Sequence, residues 1–407
     1  MPRTAWQQIR TAAFGADPRG ERLARIHRSP QFVDGAFRNP VPTRRLVYER
    51  SPLEVTRAQL SRGRRVPVAP VPLHRPLPAE LAEPAASGLR LTWLGHSTVL
   101  AELDGRRVLF DPVWGERCSP FGWTGPKRLH PVPIPLDEIG PVDVVVVSHD
   151  HYDHLDMATI QALIGTGATF AVPLGLGAHL EHWGVPAGKI AELDWWETAE
   201  VAGLRLTATP ARHYCGRGPR NSPLFLWASW AVAGPEHRVF HSGDTGYFPG
   251  FAEIGRRLGP FDATMMQVGA YSEYWPEVHM TPEEGVRAHL DLGGEVMLPI
   301  HWCTFNLAPH PWEEPPERSI AAARELAATV AVPRPGEPFE PAAPPALQLW
   351  WRAVASLPDG ADLLVPDSLA ADSASAEAGR AAPAGSAGRD TGAGPQVAAA
   401  EGDGVTV

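Results

Sequence analysis

Cysteine is scarce in this chain, and that excludes a fold built on disulfides. Cys118, Cys215 and Cys303 are the whole complement in 407 residues. Three is an odd number and too few for a disulfide framework, which points to a reducing compartment. Lysine is scarcer still: Lys127 and Lys189 stand among 36 basic residues, so 34 are arginine. With so much Ala, Pro and Gly, that bias reads as the codon usage of a GC-rich genome. Long apolar runs are missing too, and none approaches the ~18 consecutive residues that a membrane-spanning helix needs. The start, Met1 to Trp6 and on through Arg10, Asp17, Arg19 and Glu21, lacks the apolar core of a secretory signal. Cytoplasmic residence is the expectation.

What is present is ordinary in amount and uneven in distribution. Hydrophobic residues make up 44% and charged residues 20%, as in soluble globular proteins. The length allows one large domain or two ordinary ones. Residues 1–90 hold 16 Arg against 7 Asp and Glu, a net of +9, although the whole chain carries −10. A basic, Pro-rich arm on an acidic body either packs against that body or meets an anionic surface. The inner face of a membrane is one such surface. Nucleic acid is another, disfavoured because the arginines are scattered among prolines without a recognisable nucleic-acid motif. A homodimer is compatible with the composition.

Texture divides the chain into an arm over 1–88, a catalytic domain over 89–345, an extension over 346–366 and an Ala/Gly-rich tail over 367–407. The tail has too little apolar material to fold and is expected to be disordered. From Leu89 onward short apolar strands begin, and Asp104-Gly105 between two of them is a strong hairpin signal. Strand-like runs are expected at 169–172, 204–209, 224–232, 239–242, 263–268 and 296–300. Helical patterns are expected at 156–164, 281–291 and 317–329. Strands interleaved with helices argue an α/β architecture.

The densest chemistry follows the apolar run 142–148, in His149-Asp150-His151-Tyr152-Asp153-His154. In an extended backbone His149, His151 and Asp153 would project to one side. Imidazole and carboxylate together suit Zn²⁺ and its neighbours. Three further residues sit at or just past predicted strands: His213, Asp244 and His301. Ligand sites in α/β folds form at the carboxyl ends of strands, so these groups can converge. Seven ligands are too many for one tetrahedral ion and right for two. One division puts His149, His151 and His213 on one ion and Asp153, His154 and His301 on the other. Asp244 would bridge, with a water or hydroxide completing the shells. Zn²⁺ is the expected metal, with Mn²⁺ or Fe²⁺ as alternatives that accept the same set.

This HxHxDH pattern with its later His, Gly-Asp and final His resembles the metallo-β-lactamase superfamily. The resemblance implies a four-layer αββα sandwich with the metals at one edge. Thr92-Trp93-Leu94-Gly95-His96-Ser97, Leu193-Asp194-Trp195-Trp196-Glu197, Gly243-Asp244-Thr245-Gly246-Tyr247 and His301-Trp302 are similar to N-acylphosphatidylethanolamine-hydrolysing phospholipase D and its bacterial relatives. So are Gly269-Ala270-Tyr271 and His279 with Pro282-Glu283-Glu284, and the likeness spans roughly residues 89–320. It implies a dinuclear zinc phosphodiesterase in which a metal-bridging hydroxide attacks an N-acyl phosphatidylethanolamine-like phospholipid. It also implies catalytic roles for Asp153 and His279, and substrate contacts for Tyr152, Tyr271 and His279. A lactonase or esterase acting on a soluble phosphorylated substrate would use the same metals. Nucleic-acid processing through the Arg-rich arm is the remaining alternative. His96 is balanced between a role beside the metals and a turn hydrogen bond. Cys215 and Cys303 are read as packing beside the site, and the tryptophan pairs as core.

Overall fold

The computed structural model describes residues 12–46, 54, 57, 64–218 and 222–355. The tail from 367, residues 356–366 of the extension and parts of the arm lie outside the described residues.

A small hairpin in the arm, β1 (Phe32–Val33) and β2 (Ala36–Phe37), precedes the main sheets. The first sheet begins with an antiparallel meander of β3 (Leu89–Gly95), β4 (Thr98–Leu103) and β5 (Arg106–Phe110). Asp104 and Gly105 both adopt positive φ, 50° and 76°, as the two-residue hairpin turn requires. Then β6 (Val144–Val146), β7 (Thr169–Pro173) and β8 (Ile190–Leu193) add in parallel to β5.

The second sheet repeats the plan. Its antiparallel strands are β9 (Thr198–Val201), β10 (Leu204–Thr209), β11 (Ser229–Ala233) and β12 (Arg238–His241). Next, β13 (Phe261–Gln267), β14 (Gly294–Ile300) and β15 (Thr329–Val330) follow β12 in parallel. Finally β16 (Pro338–Phe339) returns to cover the edge of β3. The orders are β16-β3-β4-β5-β6-β7-β8 and β15-β14-β13-β12-β11-β10-β9. Strand for strand, the two sheets have the same pattern of antiparallel and parallel neighbours.

Parallel strands are covered on both faces, so they read as unbroken apolar runs. Val144, Val145, Val146 and Val147 are accordingly all buried. Trp93 stacks on Trp302 at 5.2 Å, and Phe110 on His241 at 5.0 Å, joining residues of the two sheets in one core. Truncating a buried aromatic of this kind costs about 3–5 kcal/mol. Helix α1 (Gly20–Arg28) belongs to the arm and α2 (Pro78–Ala82) leads into β3. The remaining helices are α3 (Met157–Leu163), α4 (Gly177–His182), α5 (Gly250–Leu258), α6 (Pro282–Asp291), α7 (Glu314–Leu326) and α8 (Trp350–Ala355). The whole is a four-layer αββα sandwich.

Three expectations need correction. The run 224–232 is strand only from Ser229, because Ser222–Leu224 forms a 3₁₀ turn. Helix α7 starts earlier than 317, since Pro315 and Pro316 occupy its first turn, where no backbone donor is needed. The loop after β6 is not extended: Leu155 N donates to His151 O at 2.8 Å, making a turn. Pleat alternation therefore does not aim Asp153; the turn does.

The arm lies against the body. In α1, Arg22 is bonded to Glu192 at 2.6 Å and to Glu181 at 2.9 Å, while Arg25 pairs with Glu197.

Candidate metal centre

Four strand ends deliver the polar cluster. His149 follows β6, His213 follows β10, Asp244 follows β12 and His301 follows β14, while the turn at His151 brings Asp153 and His154 back toward them. Gly243 makes the approach of Asp244 feasible. Its φ is +55°, and a Cβ there would lie 2.5 Å from that of Ser148. Gly246 is equally confined, since a Cβ would meet the Glu277 carbonyl oxygen at 2.0 Å.

Asp244 sits at the middle. Its Oδ1 is 3.0 Å from His301 Nε2, and its Oδ2 is 3.2 Å from His154 Nε2 and 3.8 Å from both His149 Nε2 and His213 Nε2. Asp153 Oδ2 lies 3.4 Å from His301 Nε2 and 3.5 Å from His154 Nε2. His151 Nδ1 is 2.8 Å from His149 Nε2 and 3.3 Å from His213 Nε2. Candidate ligand atoms fall into overlapping groups: His149, His151, His213 and Asp244; His96, Asp153, His154 and His301; and Asp244 with His279 and His301. Structure thus brings all seven expected residues together, in the two trios expected, and sets His96 and His279 beside them.

Whether cations fit can be read from what lacks a partner. His154 Nε2, His301 Nε2, Asp244 Oδ1 and His279 Nδ1 are buried and accept or donate no hydrogen bond. An orphaned buried polar atom is costly, and here several point at one another. Protonation tells the same story. Burial, reinforced by neighbouring imidazoles, holds His149 well below the usual histidine range; burial likewise holds His213 there, against the pull of Asp244. Both are therefore neutral, the ligand form. Burial opposes ionisation of Asp153 and Asp244, but the surrounding histidines win and keep both well below ordinary carboxylates. Burial also opposes charge on His301, yet Asp244 and Asp153 outweigh it and lift the ring to about 8. Two buried carboxylates thus demand positive charge between them, which divalent cations supply.

A second ring of residues fixes the imidazoles. His154 Nδ1 donates to Asp111 Oδ2 at 2.7 Å, leaving Nε2 free toward Asp244. Asp111 also accepts the Ser148 amide at 2.7 Å and the Ser148 hydroxyl at 2.6 Å, and that hydroxyl oxygen is 2.9 Å from His149 Nδ1. His213 Nδ1 donates to the Val278 carbonyl at 2.9 Å. Burial, with His301 adding to it, drops His96 to about 3, so its neutral ring donates Nε2–H to Asp153 Oδ2 at 2.9 Å. Asp111 carries no motif of its own. Its one sequence signal is its place directly after β5, the same grammar that singles out the ligands.

The arm reaches this ring as well. Asn39 Nδ2 donates to the His213 carbonyl and Asn39 Oδ1 accepts the His213 amide, each at 2.9 Å. Arg217 is buried, and its guanidinium bonds the carbonyls of Ala13 (3.0 Å), Asp150 (2.8 Å) and Leu155 (2.6 Å). It thereby ties the arm to both ends of the HxHxDH loop. Neither residue was visible as functional in sequence.

Other expected site residues lie differently. Tyr152 donates its hydroxyl to the Arg217 carbonyl at 2.7 Å, with the guanidinium 4.0 Å over its ring. Tyr271 bonds Glu314 through its hydroxyl and stacks on His310 at 4.3 Å. Neither lines the cavity of about 460 Å³ that opens over the cluster, whereas His279 does. Burial lowers His279 to about 4, with Asp244 opposing, so it is a neutral imidazole near pH 7.

Comparison with known proteins agrees with this geometry. A family model described as a beta-lactamase superfamily domain matches residues 106–302. An uncharacterized protein of Mycobacterium tuberculosis is 50% identical over 352 residues, covering 84% of this chain and 92% of that one. An N-acyl-phosphatidylethanolamine-hydrolyzing phospholipase D 1 of Caenorhabditis elegans is 38% identical over 233 residues, 54% of this chain and 65% of that enzyme. A metal-dependent hydrolase of Methanopyrus kandleri is 30% identical over 257 residues, 62% of this chain and all of that protein. The chain belongs to the metallo-β-lactamase superfamily and is a metal-dependent hydrolase.

Proposed function

We propose that this hydrolase is a dinuclear zinc phosphodiesterase of phospholipase D type, acting on N-acyl phosphatidylethanolamine-like phospholipids. The observation that carries the reading is the pair of ligand groups joined through Asp244: His149, His151 and His213 on one side, Asp153, His154 and His301 on the other. Such a pair of cations supplies Lewis acidity toward phosphoryl oxygens and a water acidic enough to attack at neutral pH. The chain's own contribution is to hold the imidazoles in one tautomer, keep Asp153 and Asp244 ionised, and present neutral His279 to the substrate.

The mouth favours a lipid over a soluble cyclic ester. Leu46, Ala270, Trp275, Val278 and Leu307 line the cavity beside the polar cluster, a surface suited to an acyl or glyceride chain. Likeness to the nematode enzyme supports the same substrate. The arm's arginines speak against nucleic acid, since Arg22, Arg25 and Arg44 are paired with carboxylates of the body. Contact with a membrane surface would be peripheral, because no helix among the described residues is long and apolar enough to cross one.

The test is hydrolysis of N-acyl phosphatidylethanolamine in mixed vesicles by full-length protein carrying two zinc ions. Release of phosphatidate with N-acylethanolamine is expected. A zinc-saturated protein that leaves the vesicles intact and opens a lactone instead would overturn the lipid reading.

A further inference from the structure

The cavity over the metal cluster is partly built by the arm, and one cation of the arm stands in it. Arg45 lines the cavity together with Leu46, Tyr214, Trp275, His279 and Leu307. Its position is fixed from behind. Asn39 grips the His213 backbone, Thr43 Oγ1 accepts Arg212 Nε at 3.0 Å, and the Arg44 amide donates to Glu277 at 2.6 Å. Each of these anchors lies within six residues of Arg45.

Unlike Arg44 and Arg212, Arg45 has no anionic partner among the described residues. Arg44 and Arg212 share Glu277, at 3.3 and 2.9 Å, whereas no carboxylate among the described residues pairs with Arg45. Its guanidinium lies 4.7 Å over the ring of Tyr214. That ring in turn stacks on His213 at 4.7 Å and meets His151 at 4.8 Å. One aromatic thickness therefore separates the cation from two of the histidines at the centre. Among the described residues the Tyr214 hydroxyl makes no hydrogen bond, although the side chain is mostly buried. The aromatic face holds the exposed guanidinium in place by a cation–π contact, and beside a cluster that carries cations when loaded it is positioned to share an anion with them.

We propose that Arg45 and Tyr214 form the anion-recognition face of this cavity. The guanidinium pairs with the negative charge of a bound phosphodiester and the Tyr214 hydroxyl donates to the same group, so that the arm selects anionic over neutral esters. This rests on the reading of the site as a phosphodiesterase. Arginine is suited to the task because its planar fork matches a phosphate edge that lysine meets only as a point charge.

The test uses the full-length, zinc-loaded protein and two measurements. Calorimetric titration with dibutyl phosphate, an anion with short apolar chains, reads binding without turnover. Steady-state kinetics with bis(4-nitrophenyl) phosphate and with neutral 4-nitrophenyl acetate read selectivity. Arg45→Ala should weaken dibutyl phosphate binding about tenfold or more, as loss of a charge-assisted contact does. It should raise KM for the diester by the same factor, with kcat and acetate hydrolysis within about threefold. Arg45→Lys should recover part of the binding, and Tyr214→Phe should weaken it about threefold. Unchanged binding in Arg45→Ala, or equal losses toward diester and acetate, would overturn the assignment. If wild-type protein turns over no diester, the phosphodiesterase reading fails, and the titration alone then decides the role of Arg45.

Discussion

Asp111 Oδ2 accepts the Nδ1–H of His154 at 2.7 Å, behind the ring whose Nε2 faces Asp244 at 3.2 Å. Through the Ser148 hydroxyl the same carboxylate reaches His149, so one buried residue orients an imidazole in each of the two trios. Outer partners of this kind are worth about 10–100-fold in metal affinity. Asp111→Asn should lower zinc affinity by that order in competition with a chromophoric chelator. The amide would also turn a donor toward Ser148, costing about 1–3 kcal/mol of stability. Full zinc affinity with a lowered melting temperature would confine Asp111 to folding.

Asn39 closes both hydrogen bonds of the His213 main chain, from a segment 174 residues away in sequence. Asn39→Ala leaves a buried amide and carbonyl unpaired, and should cost about 1–3 kcal/mol in chemical denaturation. Asn39→Asp keeps the acceptor for His213 N but sets a carboxylate oxygen against the His213 carbonyl oxygen, so at neutral pH it should cost at least as much as Asn39→Ala. Both variants should release zinc more readily than wild type; retention of wild-type affinity would show that His213 is positioned without the arm.

Ligands were legible because they share one local signal, polar residues directly after apolar strands, and because seven such groups have no other common purpose. Fold class was legible from strand–helix alternation and the Asp104-Gly105 turn. Supporting residues were not, for a physical reason. Asp111, Asn39 and Arg217 each act through two or three hydrogen bonds to partners 37 to 204 positions distant, and no periodicity records such pairs. Equivalence of the two sheets was hidden as well, because it resides in strand pairing rather than in side-chain identity. Tyr152 and Tyr271 show the opposite difficulty. The family resemblance implied substrate contact, yet the hydroxyls are spent on the Arg217 carbonyl and on Glu314.

Acid should loosen the corner where the two sheets are stitched by Asp104. That carboxylate accepts His237 Nδ1 at 2.6 Å and the amides of Glu236 and His237 at 2.9 and 3.1 Å. Burial raises its pKa, but the His237 bond and the two amides prevail and hold it below 3.8. A depressed carboxylate stabilises the fold fully above its unfolded pKa and loses that contribution as pH falls through the folded one. Denaturation midpoints measured from pH 6 downward should therefore fall more steeply below about 4 in wild type than in Asp104→Asn. Parallel curves would mean that Asp104 carries no such linkage.

His279 offers a neutral imidazole at the cavity wall, its Nδ1 unpartnered and 4.0 Å from Asp244 Oδ2. Position is set by Thr281, two residues on, which caps α6 by accepting the Glu284 amide at 3.3 Å while Glu284 accepts the Thr281 amide at 2.9 Å. With its pKa lowered to about 4 by burial, the ring does not carry a proton to spare near neutrality. Its role in the proposed reaction is a hydrogen bond to a phosphoryl oxygen. Removing one such preorganised donor costs about 10²–10³ in kcat. His279→Ala should show that loss toward a phosphodiester at pH 7 while keeping its zinc content and melting temperature, and His279→Gln, which retains a donor, should recover part of it. Turnover unchanged in a fully metallated His279→Ala protein would remove this residue from the catalytic machinery.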